Sequence, residues 1–148
     1  MGGVAGRARD EEAIGAVMAR LAQAFAGLSA DGVAELYTAD ADWTNAFGTS
    51  RTGGAQIEAY LAALFADPHF AAGRPLGPPR VELQWLDADA AVVKTYLERE
   101  GQLRADGSTM PVRRNFSLKV FVRRPDGWKI ASDMYMDARD DSTLPQES

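Results

Sequence analysis

The 148-residue chain contains no cysteine and one histidine, His69. Without thiols there is no disulfide, no thiolate nucleophile and no Cys-ligated metal or iron–sulfur site, and one imidazole cannot build a histidine cage. The lack of cysteine also fits a reducing compartment. Basic charge is short as well: 16 Lys and Arg against 21 Asp and Glu leave a formal charge of −5, whereas affinity for nucleic-acid backbones comes from clustered Lys and Arg. No run approaches the roughly 18 apolar residues of a membrane span, and the opening MGGVAGRARDEE lacks the apolar core of a signal peptide. Gly53-Gly54 has neither the partner glycines nor the lysine of a phosphate loop, and no Gly-x-Ser-x-Gly elbow occurs. These shortages point to a soluble, cytoplasmic protein with no metal, cofactor, nucleic acid or membrane as partner, and to a hydrophobic small molecule as its ligand.

What is present is an ordered series of amphipathic segments, enough for one domain that buries close to ~70% of its unfolded surface. The first nine residues are Gly- and Ala-rich and read as a flexible tail. Asp10 reads as the N-cap of a helix carrying Ile14, Val17, Met18, Leu21 and Phe25 on one stripe and ending near Gly27. A shorter helix starts at Ser29 or Asp31, passes through Val33, Leu36 and Tyr37, and ends near Asp40. Residues 41–48 change to a period of two, with Trp43, Asn45 and Phe47 on one side of a strand. After a polar loop from Thr49 to Gly54, a third helix places Ile57, Tyr60, Leu61, Leu64 and Phe65 at i, i+3, i+4, i+7 and i+8. Asp67-Pro68 stops it.

The second half is strands. Val81, Leu83 and Trp85 alternate in one, Asp87 to Asp89 turn, and Ala90 to Arg99 form the next, with Val93, Thr95 and Leu97 inward and Lys94, Tyr96 and Glu98 outward. A polar excursion from Gly101 to Pro111 leads to a hairpin over Asn115–Asp137, reversed at Arg124-Pro125-Asp126-Gly127 by a fixed proline φ and a permissive glycine. On this hairpin Phe116, Leu118, Val120 and Val122 make one apolar face, and Trp128, Ile130, Ser132, Met134 and Met136 share one side, so these are read as inward. Asp133, Tyr135 and Asp137 then face the opposite surface. Residues 138–148 read as a second flexible tail. Strands gathered after helices predict an α+β fold, with three N-terminal helices packed on a strongly curved, mainly antiparallel sheet and a cone whose open mouth takes the ligand.

Taken in order, DEEAIGAVMARLAQAF, YTADADWTNAFG, TGGAQIEAYLAALF, WLDADAAVVKT and VFVRRPDGWKIAS resemble the nuclear-transport-factor-2-like superfamily. Within it the chain is most similar to the SnoaL-like group and its SgcJ/EcaC branch, accessory proteins of enediyne polyketide biosynthesis. The resemblance spans residues 10–137. It implies a cone-shaped pocket, a homodimer, and antibiotic-biosynthetic chemistry ranging over isomerisation, cyclisation and dehydration, with binding alone as the alternative. It also implies histidines near Leu61 on the third helix and near Ser132 and Met134 on the last strand, where this chain has none.

The ligand-binding candidates are Trp43 as an apolar wall, Asn45 as donor and acceptor, Tyr60 and Phe65 on the third helix, Tyr96, Phe116, and Ser132 with Met134 on the last strand. Each has a plainer reading: Trp43, Phe65 and one methionine as core, Asn45 bonded to nearby backbone, and Lys94, Tyr96 and Glu98, with Lys119 and Ser117 opposite them on the neighbouring strand, as a solvated face stitched by ion pairs instead of a proton-moving set. His69, after Asp67-Pro68, reads as an exposed or locally bonded imidazole. No catalytic residue stands out.

Overall fold

The computed structural model describes residues 4–145. The parts of the two expected tails formed by residues 1–3 and 146–148 lie outside the described residues. The elements are α1 (Val4–Gly27), a 3-10 turn (Val33–Leu36), β1 (Tyr37–Thr44), β2 (Ser50–Thr52), α2 (Gly54–Ala66), α3 (Pro68–Ala71), β3 (Arg74–Pro75), β4 (Arg80–Asp87), β5 (Ala90–Glu100), β6 (Arg113–Arg124) and β7 (Gly127–Asp137). The seven strands form one sheet in the order β2-β1-β7-β6-β5-β3, with β4 also on β5, and the path does not close. Only the β1–β7 pair is parallel. This is the expected α+β architecture.

Helix α1 presents Ile14, Leu21 and Ala24, all at most 4% exposed, to the inner face of the sheet. It starts six residues before Asp10. That carboxylate is not a cap: it accepts hydrogen bonds from Arg123 on β6 and from the Trp128 indole on β7. Helix α2 follows the expected stripe, burying Ile57, Leu61 and Phe65. A Cβ at Gly53 or Gly54 would strike the carbonyl oxygens of Ala39 and Ala34, so the glycines let α2 start hard against β1 and the 3-10 turn. Asp67 ends α2 and caps α3, its carboxylate accepting from the His69 amide, while the imidazole lies 3.0 Å from the same oxygen. His69 is thus locally bonded, as expected.

Two short elements differ from expectation. The second helix is one 3-10 turn, and Tyr37 already opens β1. β1 ends at Thr44, so Asn45 and Phe47 lie in a turn, and β2 occupies part of what reads as a polar loop.

The larger difference is which way the hairpin faces. Counting back from the Arg124–Gly127 pair, Phe121 lies opposite Ile130, but Val120 lies opposite Ser132. Ala131 is therefore an extra residue on β7, a bulge, and such a residue reverses the side on which every later side chain stands. Trp128 and Ile130 point inward; beyond the bulge Asp133, Tyr135 and Asp137 take that side, and Ser132, Met134 and Met136 go to the outer face. On β6 the inward set is Ser117, Lys119 and Phe121, all buried, while Leu118 is 48% exposed. The sequence reading of this hairpin is thus corrected for Phe116, Leu118, Val120, Val122, Ser132, Met134 and Met136, which are on the outer face. Lys119 and Ser117 likewise belong with Val93 and Thr95, not with Lys94 and Tyr96.

Deleting Ala131 removes the phase reversal and turns Asp133 and Tyr135 outward. The expected outcome is loss of the near-ultraviolet circular dichroism and of cooperative urea unfolding; a deletion variant that keeps both would show that the bulge does not set the inner face.

Candidate functional site

Three strands bring the site together. β1 contributes Tyr37 and Trp43, β6 contributes Ser117 and Lys119, and β7 contributes Asp133 and Tyr135. The register aligns Lys119 with Asp133 and Asp133 with Trp43, and one row further Thr95, Ser117 and Tyr135 lie side by side.

The Lys119 ammonium has three protons and uses all of them: on Asp133 Oδ1 at 2.9 Å, Ser117 Oγ at 3.1 Å and the Tyr135 phenol oxygen at 3.0 Å. Asp133 Oδ2 accepts from both phenols, Tyr37 at 2.7 Å and Tyr135 at 3.1 Å. Ser117 Oγ shares a further hydrogen bond with Thr95 Oγ1. The side chains of Lys119 and Asp133 are 3% and 0% exposed, so the pair stands in a low dielectric, where such hydrogen bonds are strong and an unpaired partner is costly.

The charge state follows from the surroundings. Burial alone would lower the Lys119 pKa, but the Asp133 carboxylate and the Tyr135 phenol outweigh it and hold the ammonium above its ordinary value. Burial, followed by the field of Asp133, pushes Tyr135 up to about 12 and Tyr37 well above the usual phenol value. At neutral pH Lys119 is an ammonium and both phenols are neutral, so three proton donors surround the Asp133 side chain.

Aromatic side chains close one side of it. The Trp43 ring lies 5.1 Å from Tyr60 and 6.0 Å from Tyr135, centroid to centroid. Trp43 is 2% exposed, and its indole N–H has no hydrogen-bond acceptor among the described residues. The Tyr60 hydroxyl accepts from Asn45 Nδ2 at 2.9 Å, and the Arg51 guanidinium lies over the Tyr60 ring. Asn45 Oδ1 meanwhile accepts the amides of Phe47 and Thr49, so this carboxamide shapes the turn after β1 and positions Tyr60.

Of the sequence candidates, the structure brings together Trp43, Asn45 and Tyr60. Phe65 is on the inner side but packs between Phe25 and Phe70 in the helical core. Tyr96, Phe116, Ser132 and Met134 stand on the outer face. There Tyr96 packs against Phe116 with the rings tilted and their centres 4.7 Å apart, donates to Glu98, and lines a shallow cleft of about 170 Å³ with Leu76 and Arg80. Asp133, Tyr37 and Tyr135 escaped the sequence reading, and Lys119 entered it only opposite Lys94, Tyr96 and Glu98, not with these partners. The one available signal was a lysine and an aspartate, each in an apolar strand, at positions that a hairpin places nearly opposite. Among the described residues no three imidazole or carboxylate side chains are grouped to hold a metal ion, and no helix is long and apolar enough to cross a membrane.

Solved structures share this architecture. A protein of cystatin-like fold from Caulobacter vibrioides superposes with a TM-score of 0.78 at 20% identity, over 89% of this chain and 92% of its own. A member of the NTF2-like family from Streptomyces avermitilis, suggested to be a dehydratase, gives 0.67 at 16%, over 88% and 97%. A ketosteroid isomerase-like protein from Erwinia carotovora atroseptica gives 0.67 at 17%, over 86% and 95%. At these identities the likeness is one of fold. No curated protein is similar enough in sequence to match. The model of the SnoaL-like domain family matches residues 6–132, a span that holds both helical walls, the Lys119 strand and the bulge. The chain belongs to the SnoaL-like domain family.

Proposed function

We propose that the chain binds a largely apolar, oxygen-bearing small molecule against the inner face of the sheet and assists its isomerisation, cyclisation or dehydration. The observation that carries this reading is the buried group of Lys119, Asp133 and Tyr135 beside a tryptophan whose N–H has no acceptor. An ion pair buried only for stability is a poor device, since apolar residues of similar volume often do as well or better. A neutral phenol backed by an ammonium, however, is a fitting donor to a carbonyl oxygen that gains negative charge. In this mechanism the ligand oxygen replaces Asp133 Oδ2 as acceptor of the Tyr135 proton. Lys119 polarises the phenol from behind, and Asp133, relieved of one donor, accepts a proton from the ligand. The group does the work that histidine would do at Leu61, Ser132 or Met134.

Polyketide chemistry of the enediyne type is the setting we assign to this reaction, in the cytoplasm. It is supported by the order and spacing of the motifs over residues 10–137 and by fold neighbours described as a dehydratase and as ketosteroid isomerase-like. A homodimer belongs to the same proposal. Leu118, Met134 and Met136, each at least 48% exposed, form a contiguous apolar patch on the outer face of β6 and β7 that a second copy would cover. A carrier that shields a reactive intermediate is the second reading, favoured because all three Lys119 protons and both phenol protons already have acceptors.

The test is titration with a synthetic conjugated polyenone, with tryptophan fluorescence reporting binding and absorbance reporting turnover. Tyr135→Phe is expected to keep the affinity within about threefold and to lower kcat by about 10²–10³. Saturable binding without any change in the polyenone would reject catalysis in favour of the carrier. The titration states make a separate prediction. Lys119, Tyr37 and Tyr135 all have folded pKa values above their unfolded ones, so above about pH 10 the unfolded chain loses protons that the native state keeps, and stability falls as pH rises. Urea unfolding from pH 8 to 11 should show a flat region and then a decline, shallower in Tyr135→Phe. Finally, a Leu118→Glu, Met134→Glu double variant should sediment as a folded monomer where the parent chain sediments as a dimer.

A further inference from the structure

Arg99 is on the inner face of β5, four residues beyond Thr95, opposite Pro75 of β3 and Arg113 of β6. Its guanidinium carbon lies 4.9 Å from the centre of the Phe70 ring. Phe70 is 6% exposed and packs against Phe25 and Phe65, so the guanidinium rests on the aromatic core and not on the outer surface. Among the described residues the buried Nε of Arg99 has no acceptor and no carboxylate pairs with this side chain.

Its neighbour is in the opposite situation. Arg113 donates to both oxygens of Asp137, at 2.9 and 3.1 Å, and to Gln102 Oε1 at 2.8 Å. Of two guanidinium groups at one register position, only Arg113 thus has a carboxylate partner among the described residues. The other acidic groups nearby are committed elsewhere: Glu100 to Arg74, and Glu98, on the outer face, to the Tyr96 hydroxyl. Burial, with the charge of Arg113 added, holds the Arg99 pKa below its usual value. A cation drawn partly out of water without a partner is unfavourable, and a planar carboxylate, accepting in parallel from Nε and a terminal nitrogen, is the group that complements it.

We propose that Arg99 is the subsite for the carboxylate of the ligand, so that the molecule held on the inner face is an apolar acid. This rests on the reading of that face as a small-molecule site and adds the chemical class of the ligand. Arg99 is four residues along β5 from the Thr95–Ser117–Tyr135 row, about 13 Å at 3.3 Å per residue. An elongated unsaturated acid spans that interval, its carboxylate at Arg99 and its reacting oxygen toward Tyr135, with Phe70 beneath the charged end.

The probes are cis-parinaric acid, a fluorescent conjugated tetraene with a terminal carboxylate, and its methyl ester, titrated into the wild-type chain and Arg99→Gln at pH 7. The expected result is that the acid binds the wild-type chain more tightly than the ester, and that Arg99→Gln weakens the acid about 10- to 100-fold while leaving the ester unchanged. Without ligand, Arg99→Gln should unfold at the same temperature as wild type or higher, because it removes an unpaired cation. Equal binding of acid and ester, or equal weakening of both in a variant of lowered melting temperature, would overturn the carboxylate subsite, leave Arg99 as a prop for Phe70, and leave the inner-face binding reading intact. Failure of both probes to bind the wild-type chain would overturn that broader reading and this one with it.

Discussion

A lysine ammonium and an aspartate carboxylate 2.9 Å apart, with almost no access to water, set the terms for the rest of this molecule. Such a pair is tolerable only if every remaining donor and acceptor finds a partner, and the partners come from separate parts of the chain. Tyr37 arrives on β1, 96 residues before Asp133; Ser117 and Lys119 come with β6; Tyr135 follows on β7. Asp133 faces them only because Ala131 shifts the phase of β7. The parallel β1–β7 pair, the bulge and the polar group are thus one solution: loosening any of them leaves a buried charge without its counterpart.

The identity and order of the long elements were legible in the residues, whereas the short ones, the 3-10 turn, β2, α3 and β3, were not. The Ile57–Phe65 stripe, the Asp67-Pro68 stop and the Arg124–Gly127 reversal each have a local cause, and each stands where its cause puts it. The sign of a strand's two faces has no such cause. Phe116, Leu118 and Val120 alternate cleanly, but alternation reports that the faces differ and not which of them meets the helices. Here the more apolar set is outside, and Ser117 and Lys119 are inside because Asp133 and Tyr135 satisfy them. The bulge compounds this. Counting pairs from the turn sets Lys119 against Ser132, and only the extra Ala131 substitutes Asp133; a lone alanine gives no warning of it. Asp10 misled for a similar reason, since a carboxylate before an apolar stripe has the chemistry of a cap whether or not the helix has already begun.

Fold likeness at 16–20% identity shows the architecture and leaves its chemistry to the residues. The SnoaL-like architecture offers an inner face beneath two helices, and this chain equips it without an imidazole: phenols, an ammonium and a carboxylate at the floor, an indole beside them, and a guanidinium further along on β5. Proton affinities in such a set are fixed by mutual contact more than by residue type, so a search for the family's customary side chain passes over it.

Arg123 draws out one more consequence. It holds Asp10 of α1 with two hydrogen bonds and Asp89 of the β4–β5 turn with another, while Trp128 adds its own bond to Asp10. Helix α1 is therefore fastened by residues made more than a hundred positions later, and β1 gains its parallel neighbour later still. During synthesis α1 can pack Phe25 on α2 and α3, but the rest of its amphipathic face waits for the β6–β7 hairpin, so the domain closes in a late step. In a growing cell, the exposure time of that helix is set by translation speed and not by the stability of the finished protein.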